Sequence, residues 1–390
     1  MIPVPGLDLA ATHRALADEI EPAVLAVLRS GNYVMGPQVE AFEAAFAAHV
    51  GARHCIGVGN GLDALRLSLE ALGIGPGDEV IVPSHTYIAT WFSVSAVGAR
   101  PVPVEVDEAT FALDPSRVEA AIGPRTRAII PVHLYGHPAP MADLLAIADR
   151  HDLRVVEDAA QAQGARLDGR HVGTFGDATG WSFYPVKNLG AAGDAGAITT
   201  DDDGLARRLR LARNQGSISR SVHEVVGSNS RLDPIQAAIL GVKLRHLETW
   251  NEQRRAIAMR YLTGLATSSL RLPTVGPGVD HVWHQFVVRH PERDSLREAL
   301  AAAGIETLIH YETPPHRQAA YADLGFVAGS FPIAELLSAE ILSLPIDPLL
   351  SPAAVDGVIA TILAWDAAQR VVRSGAALPI PATAAAVGRT

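Results

Sequence analysis

An aspartate, Asp158, and a lysine, Lys187, stand at the ends of two apolar runs, residues 153–157 and 179–183. A carboxylate and an amine on neighbouring strand ends can grip opposite ends of one aromatic cofactor. Pyridoxal 5'-phosphate (PLP) needs such a pair: a lysine to form a Schiff base and an acid to pair with the pyridinium nitrogen. The acid keeps that nitrogen protonated, which makes the ring an electron sink. The lysine must be neutral part of the time to attack, so burial should depress its pKa. Each residue alone also has an ordinary reading. An aspartate after a strand commonly caps a helix, and a lysine is commonly solvated. Their joint placement points to chemistry.

Gly57-Val58-Gly59-Asn60-Gly61-Leu62-Asp63 forms a glycine-rich turn between a strand and a helix. Backbone N–H groups and the helix dipole favour an anion there, typically a phosphate. A dinucleotide fingerprint starting at Gly57 would need glycine at position 62, which is Leu62, so that reading fails in detail. Tyr87, after another strand, can stack on a flat ring or fill a core. Ser182 can bond a phosphate or be a plain strand-end serine. Gln161, taken as one helical turn beyond Asp158, can reach the same ligand or lie at the surface. His133 and His137 are four apart, but Gly136 and Pro138 argue for a loop, and His281 and His284 have no cysteine or acidic cluster beside them. No metal site is expected, and no G-x-S-x-G elbow is present.

The elements that must position these residues read as an α/β alternation. Strands are expected at residues 53–58, 79–82, 127–132, 153–157, 179–183 and 195–200. Helices are expected at 38–50, after Gly61, and at 141–151. Strands alternating with helices imply a mostly parallel, covered sheet, whose ligands sit beyond the carboxyl ends of the strands. That edge is where residues 59–62, 84–87, 133–136 and 158–161 fall. A long helix is expected after Asp233, running to about Met259 with breaks. A smaller α/β unit follows, with a strand at 283–289 and a helix at 294–303. The expected division is a large domain over 1–250, a small C-terminal domain over 251–373, and an Ala- and Pro-rich tail over 374–390 with little order.

Composition narrows the function class. Hydrophobic residues make up 48% and charged residues 19%, a globular balance that can build large cores. The net charge is 32 − 42 = −10, and no basic stripe invites nucleic acid. No signal peptide and no run long enough to span a bilayer are read, so a cytoplasmic protein with no membrane partner is expected. The single cysteine, Cys55, rules out an internal disulfide and reads as a core filler.

Val156-Glu157-Asp158-Ala159-Ala160-Gln161, then Ser182-Phe183-Tyr184-Pro185-Val186-Lys187-Asn188-Leu189-Gly190 and Gly193-Asp194, resemble the DegT/DnrJ/EryC1/StrS family. Ser30-Gly31-Asn32-Tyr33, Gly75-Pro76-Gly77-Asp78-Glu79-Val80, Pro131-Val132-His133-Leu134-Tyr135-Gly136 and Arg213-Asn214-Gln215-Gly216 agree with it. The resemblance implies an aspartate-aminotransferase-like fold (PLP fold type I) and a PLP-dependent sugar aminotransferase that passes through the pyridoxamine 5'-phosphate form. It implies that Lys187 carries the cofactor and shuttles protons. Asp158 would meet the ring nitrogen, Gln161 the ring hydroxyl side and Tyr87 the ring face. Gly61, Leu62 and Ser182 would bind the cofactor phosphate, joined by Asn229 from the second subunit of a homodimer with shared sites. Tyr33, Tyr184, His310 and Tyr311 are the candidates for the sugar nucleotide.

Two features refine that expectation. The family's phosphate loop usually reads Ser-Gly-Thr, whereas this chain has Asn60-Gly61-Leu62, so backbone donors must do more. A branch with histidine in place of the lysine performs dehydration, so Lys187 favours transamination. Val222-His223-Glu224, Asn229-Ser230-Arg231-Leu232-Asp233 and Val282-Trp283-His284 are similar to enzymes that aminate C3 of a dTDP-3-keto-6-deoxyhexose, with L-glutamate as donor. The competing expectations are C4 amination, a PLP-dependent sugar dehydratase, a nicotinamide-dependent oxidoreductase, and a non-catalytic regulatory relative.

Overall fold

Strands numbered in chain order build the core of a computed structural model that describes residues 4–374. The first nine are β1 His54–Val58, β2 Glu79–Pro83, β3 Arg100–Val104, β4 Thr126–Ile129, β5 Arg154–Asp158, β6 Arg166–Leu167, β7 Arg170–His171, β8 Ala178–Ser182 and β9 Gly196–Thr200. Seven of them form one sheet in the order β1-β9-β8-β5-β4-β2-β3. Only β9 runs against its neighbours, β1 and β8; the other pairings are parallel. The carboxyl ends of β1, β2, β4, β5 and β8 therefore meet on one edge, which is where such sheets take ligands.

Helices cover the sheet because their apolar residues recur on one face. Gly61–Ala71 buries Ala64, Leu65, Leu67 and Leu69. The helix Pro37–Val50 lays Phe42 and Phe46 against Phe183 and Trp181, with the Phe46 and Trp181 rings edge to face at 5.1 Å. Each fully buried aromatic of this kind is worth about 1.5–3 kcal/mol. The cluster also fixes the chain on both sides of Ser182.

A second core gathers Tyr261, Trp283, Phe286, Leu296, Leu342 and Ile362, and draws in Val4 from the amino terminus. Its sheet pairs β13 Phe286–Arg289 with β14 Ile341–Leu344. Three short strands remain: β10 Ser217–Ser219 and β11 Val222–His223 form a hairpin, and β12 Val279–Asp280 joins β6.

Several boundaries differ from the sequence reading. The run expected to be a strand over 127–132 stops at Ile129, since Pro131 has no N–H to donate. Asp158 is the last residue of β5 rather than the first beyond it. The strand expected from 283 begins at Phe286. The long helix is two, Pro234–Leu244 and Leu247–Gly264. At the break, the Glu19 carboxylate accepts from Arg245 at 2.6 Å and contacts His246 at 2.9 Å. Cys55 is buried, as its apolar surroundings implied. The tail reading lies outside the described residues from 375 onward. No helix among the described residues is long and apolar enough to cross a membrane.

Gly196 shows how tightly the functional edge is built. A Cβ there would lie 2.4 Å from the Asn60 carbonyl oxygen and 2.9 Å from that of Trp181, both backbone atoms. Gly196→Ala is expected to lower stability by about 1–3 kcal/mol through overpacking, read as a fall in the denaturant midpoint. An unchanged midpoint would mean that the turn above β9 is free to move.

Candidate active site

Asp158 reaches the carboxyl edge because its backbone is pinned on both sides. Its N–H donates to Pro131 O at 2.8 Å, and its carbonyl accepts from His133 N at 3.0 Å. Its side chain is buried. Thr90 donates to Oδ2 at 2.8 Å and Ala160 N–H donates to Oδ1 at 3.1 Å. Burial raises the carboxyl pKa; the bonds from Thr90 and Ala160 and the charge of Lys187 pull it back down. Directly below, Glu157 is fully buried and accepts from Gly173, Phe175 and Gly176 N–H groups and from Thr179. His133 Nδ1 accepts from Ala139 N–H at 2.9 Å, so its Nε2 carries the proton towards Glu157 at 3.0 Å. This paired acid and imidazole brace the strand end that presents Asp158.

The loop after β8 presents Lys187 in a fixed frame. Ala191 N–H donates to Phe183 O, and Lys187 N–H donates to Tyr184 O. Asn188 Nδ2 donates to Asn251 Oδ1 and Val282 O, both at 2.9 Å. The residue Lys187 is half-buried, but burial of its amine brings the pKa down from 10.5 to about 8, with Asp158 pulling upward. The two groups thus sense each other across one site. Lysine occurs at only two positions in the chain, 187 and 243. The Lys243 amine is already engaged, donating to Gly190 O at 2.7 Å.

With a pKa of about 8, roughly a quarter of the amine is neutral at pH 7.5, against about 0.1% for an ordinary lysine. Capture of PLP by the cofactor-free protein is therefore expected to speed up as pH rises, with a midpoint near 8. Stopped-flow absorbance checks this; a midpoint near 10 would show that the amine is solvated.

The phosphate-type turn is built as its glycines suggested. Asn60 Oδ1 caps the helix by accepting from Asp63 N–H at 2.8 Å. No described residue accepts from the first-turn N–H groups of Gly61 and Leu62. A Cβ on Gly61 would lie 2.7 Å from Ser182 Cβ, so the turn sits directly against the end of β8. The acid in this first turn, Asp63, is occupied by Arg66 and Ser230.

Gln161 differs from expectation in setting. It lies in a turn rather than on a helix and is buried. Its Oε1 accepts from Tyr135 N–H at 2.6 Å and its Nε2 donates to Tyr311 at 2.8 Å. Tyr87 is exposed, with its ring 5.3 Å from that of Tyr311. Tyr135 donates to the His310 carbonyl, and His310 Nδ1 lies 2.7 Å from Ser343. Burial and the Lys187 charge lower the His310 pKa to about 4, leaving a neutral ring.

The fold thus gathers Asp158, Lys187, Gln161, Ser182, Gly61, Leu62, Tyr87, His310 and Tyr311 around one edge. Three candidates are set apart by exposure, although the Tyr184 backbone bonds to Lys187 and Ser182. Tyr184 and Tyr33 are exposed, and Tyr33 donates only to Leu28 O near its own helix end. Asn229 is exposed on a loop whose next residue, Ser230, accepts from Gly59 N–H.

Sequence reasoning missed Thr90, Glu157 and Asn188 as partners of the site. It weighed His284 as a metal ligand and as part of the Val282-Trp283-His284 stretch but not as a neighbour of the amine, although its Nδ1 meets Asn188 Oδ1 at 3.1 Å and Lys187 helps depress its pKa. No spacing signal marks any of these. No group of residues suited to a metal occurs among those described. The arrangement fits PLP: a desolvated amine, an opposed carboxylate, free N–H donors at a helix start and an exposed aromatic face.

The sequence model of the DegT/DnrJ/EryC1/StrS aminotransferase family matches residues 14–363. The chain is 57% identical to the erythromycin biosynthesis sensory transduction protein EryC1 of Saccharopolyspora erythraea, over 93% of this chain and 99% of that one. It is 53% identical to a dTDP-3-amino-3,4,6-trideoxy-alpha-D-glucose transaminase of Streptomyces venezuelae, over 94% and 97%. The crystal structure of S. venezuelae DesV in complex with a ketimine intermediate superposes with a TM-score of 0.92 at 53% identity, covering 94% of this chain and 99% of that one.

Proposed function

Because the chain belongs to the DegT/DnrJ/EryC1/StrS aminotransferase family, we propose that it transfers an amino group from L-glutamate to carbon 3 of a dTDP-linked 3-keto-6-deoxyhexose. It is a PLP-dependent aminotransferase with an aspartate-aminotransferase-like fold. The observation that carries the reading is that Asp158 ends β5 and Lys187 follows its neighbour β8 on one sheet edge, close enough for each charge to act on the other. The 3-amino products in the names of two relatives, 53% and 49% identical, support carbon 3.

PLP, when bound, supplies an aldehyde and an electron-withdrawing ring. The chain's own residues would do the rest. Lys187 holds the cofactor and, when released, moves a proton at the donor's α-carbon. Asp158, aimed by Thr90 and Ala160 N–H, would pair with the ring nitrogen and keep it protonated. Gly61 and Leu62 N–H groups and Ser182 receive the phosphate. Tyr87 would cover the ring, and Gln161 would lie on its hydroxyl side. Tyr33, Tyr184, His310 and Tyr311 border the sugar nucleotide.

The reading includes a homodimer in which Asn229 completes the partner's phosphate site. Ile218, Val222, Val225 and Val226 are exposed on the segment leading to Asn229, and Val226 is 95% exposed. Such a patch suits a protein partner. A single-chain mass in sedimentation would overturn this part. It also includes a large domain to about residue 250, a small domain to 373 and a cytoplasmic setting, the last supported by a lone buried cysteine.

The name of the 57% identical relative speaks of sensory transduction. A purely regulatory role would not need a desolvated Lys187 opposite Asp158. Glutamate is expected to bleach the visible band of the yellow holoprotein within one turnover, and a dTDP-3-keto-6-deoxyhexose to restore it. A colourless protein that stays colourless with PLP, or a band indifferent to glutamate, contradicts the proposal. Restoration by a 4-keto sugar alone would move the reaction to carbon 4.

A further inference from the structure

A cavity of about 730 Å³ lies beside Lys187, lined among others by Leu7, Val186, Arg254, His284, Arg297 and His310. Lys187 itself is not in the lining, but three of its neighbours are. Val186 precedes Lys187 in the chain, and His284 and His310 both feel the charge of Lys187. Both rings are neutral, because burial lowers their pKa values. The fixed positive charge of the cavity therefore comes from its two arginines.

Arg254 is 97% buried, being 3% exposed. Its Nη1 donates to Ile346 O at 2.8 Å and to Trp283 O at 3.3 Å. Its Nε is buried with no acceptor among the described residues. No described carboxylate comes within ion-pair distance of it. The nearest influence is Asp347, which acts only at longer range and whose oxygens already accept from Leu349 and Asp8 N–H groups. Burial lowers the Arg254 pKa to about 10. A buried guanidinium without a counter-ion is costly to maintain. Arg297, at the outer wall, is exposed and makes no ion pair among the described residues. One acid also lines the cavity: Glu306, whose Oε2 accepts from Gly6 N–H.

We propose that this cavity seats a carboxylate of the amino-acid donor, with Arg254 as its buried anchor and Arg297 at its rim. The proposal rests on the transaminase reading and assigns residues to the donor half of that reaction. A dicarboxylate such as glutamate carries a planar anion that matches a guanidinium fork. Tyr87 and Tyr184 are exposed and lie outside this lining, which leaves them to the bulk of a sugar nucleotide, whereas Arg254 is buried in the cavity wall. The shared chemistry is an oxyanion, and the nucleotide's phosphates are the rival source.

Both half-reactions that form the pyridoxamine state bleach the same band, so one assay separates the sources. Single-turnover bleaching is measured with L-glutamate and with a dTDP-3-amino-3,6-dideoxyhexose, using holoenzyme, Arg254→Gln, Arg254→Lys and Arg297→Glu. For Arg254→Gln, kcat/KM with glutamate is expected to fall roughly 100-fold, carried by the half-saturating concentration. The aminosugar arm is expected to stay within about twofold. Arg254→Lys keeps the charge and should recover part of the loss. Arg297→Glu is expected to weaken the glutamate arm about 10-fold, and it decides the question if Arg254→Gln does not fold.

A glutamate arm unchanged by these variants overturns the proposal. So does an aminosugar arm that falls as far or further, which would give the arginines to phosphate. Wild-type enzyme that bleaches with neither amine would instead overturn the transaminase reading itself.

Discussion

Lys187→Ala is expected to lower turnover with glutamate by roughly 10⁴-fold or more and to remove the lysine-bound visible band, while leaving the fold intact. The loss is large because one group both holds the cofactor and moves the proton, and groups acting as a unit are not replaced by their neighbours. Lys243 cannot substitute, since its amine donates to Gly190 O at 2.7 Å. His284 and His310 are neutral rings near the amine, but neither can form the covalent link. The cofactor-free variant should melt no lower than the parent protein. Burial disfavours the charged amine, so deleting it removes a desolvation penalty as well as a side chain. A variant that keeps the band and a tenth of the turnover would place the chemistry elsewhere.

Asp158→Asn carries the second largest expected effect. The change conserves shape and removes a charge opposite the ring nitrogen. Removing one member of a buried charged pair costs about 2–5 kcal/mol, which is roughly 30- to 5,000-fold in rate. The loss should fall on kcat and on PLP affinity together, because the acid acts on the cofactor and not on the substrate. The amide can still accept from Ala160 N–H, and the Thr90 hydroxyl can turn to accept from the new NH₂, so the strand end should hold. A KM effect with normal kcat and normal cofactor affinity would show that Asp158 does not touch the ring.

The parts of this site that the sequence made legible are those whose meaning is local. Asp158 and Lys187 end apolar runs, and the glycines at 57, 59 and 61 mark a turn into a helix. What stayed hidden depends on distant residues that only folding brings together. Thr90 lies 68 positions before the acid it aims. Asn188 meets Val282 across 94 residues, and Arg254 meets Ile346 across 92.

Local rules also misled where tertiary context changed their meaning. β3, Arg-Pro-Val-Pro-Val, is absent from the strands expected from the sequence, and its Pro101 and Pro103 cannot donate. They are tolerated because β3 is the last strand of the sheet order, with an edge that needs no partner. Gln161 was placed on a helix by spacing alone, but it folds into a turn that points both ends of its amide at Tyr135 and Tyr311. The long helix expected after Asp233 carries no proline or glycine at its break, so nothing local forecast the division at Arg245 and His246, where Glu19 binds both.

With only two lysines to choose between, the cofactor link can be located by one chemical experiment. Holoprotein is reduced with borohydride, digested, and the phosphopyridoxyl label is mapped by mass spectrometry. The expected result is one label per chain, on the peptide that contains Lys187. A label on Lys243, or no covalent label on protein that is yellow with PLP, would contradict the account.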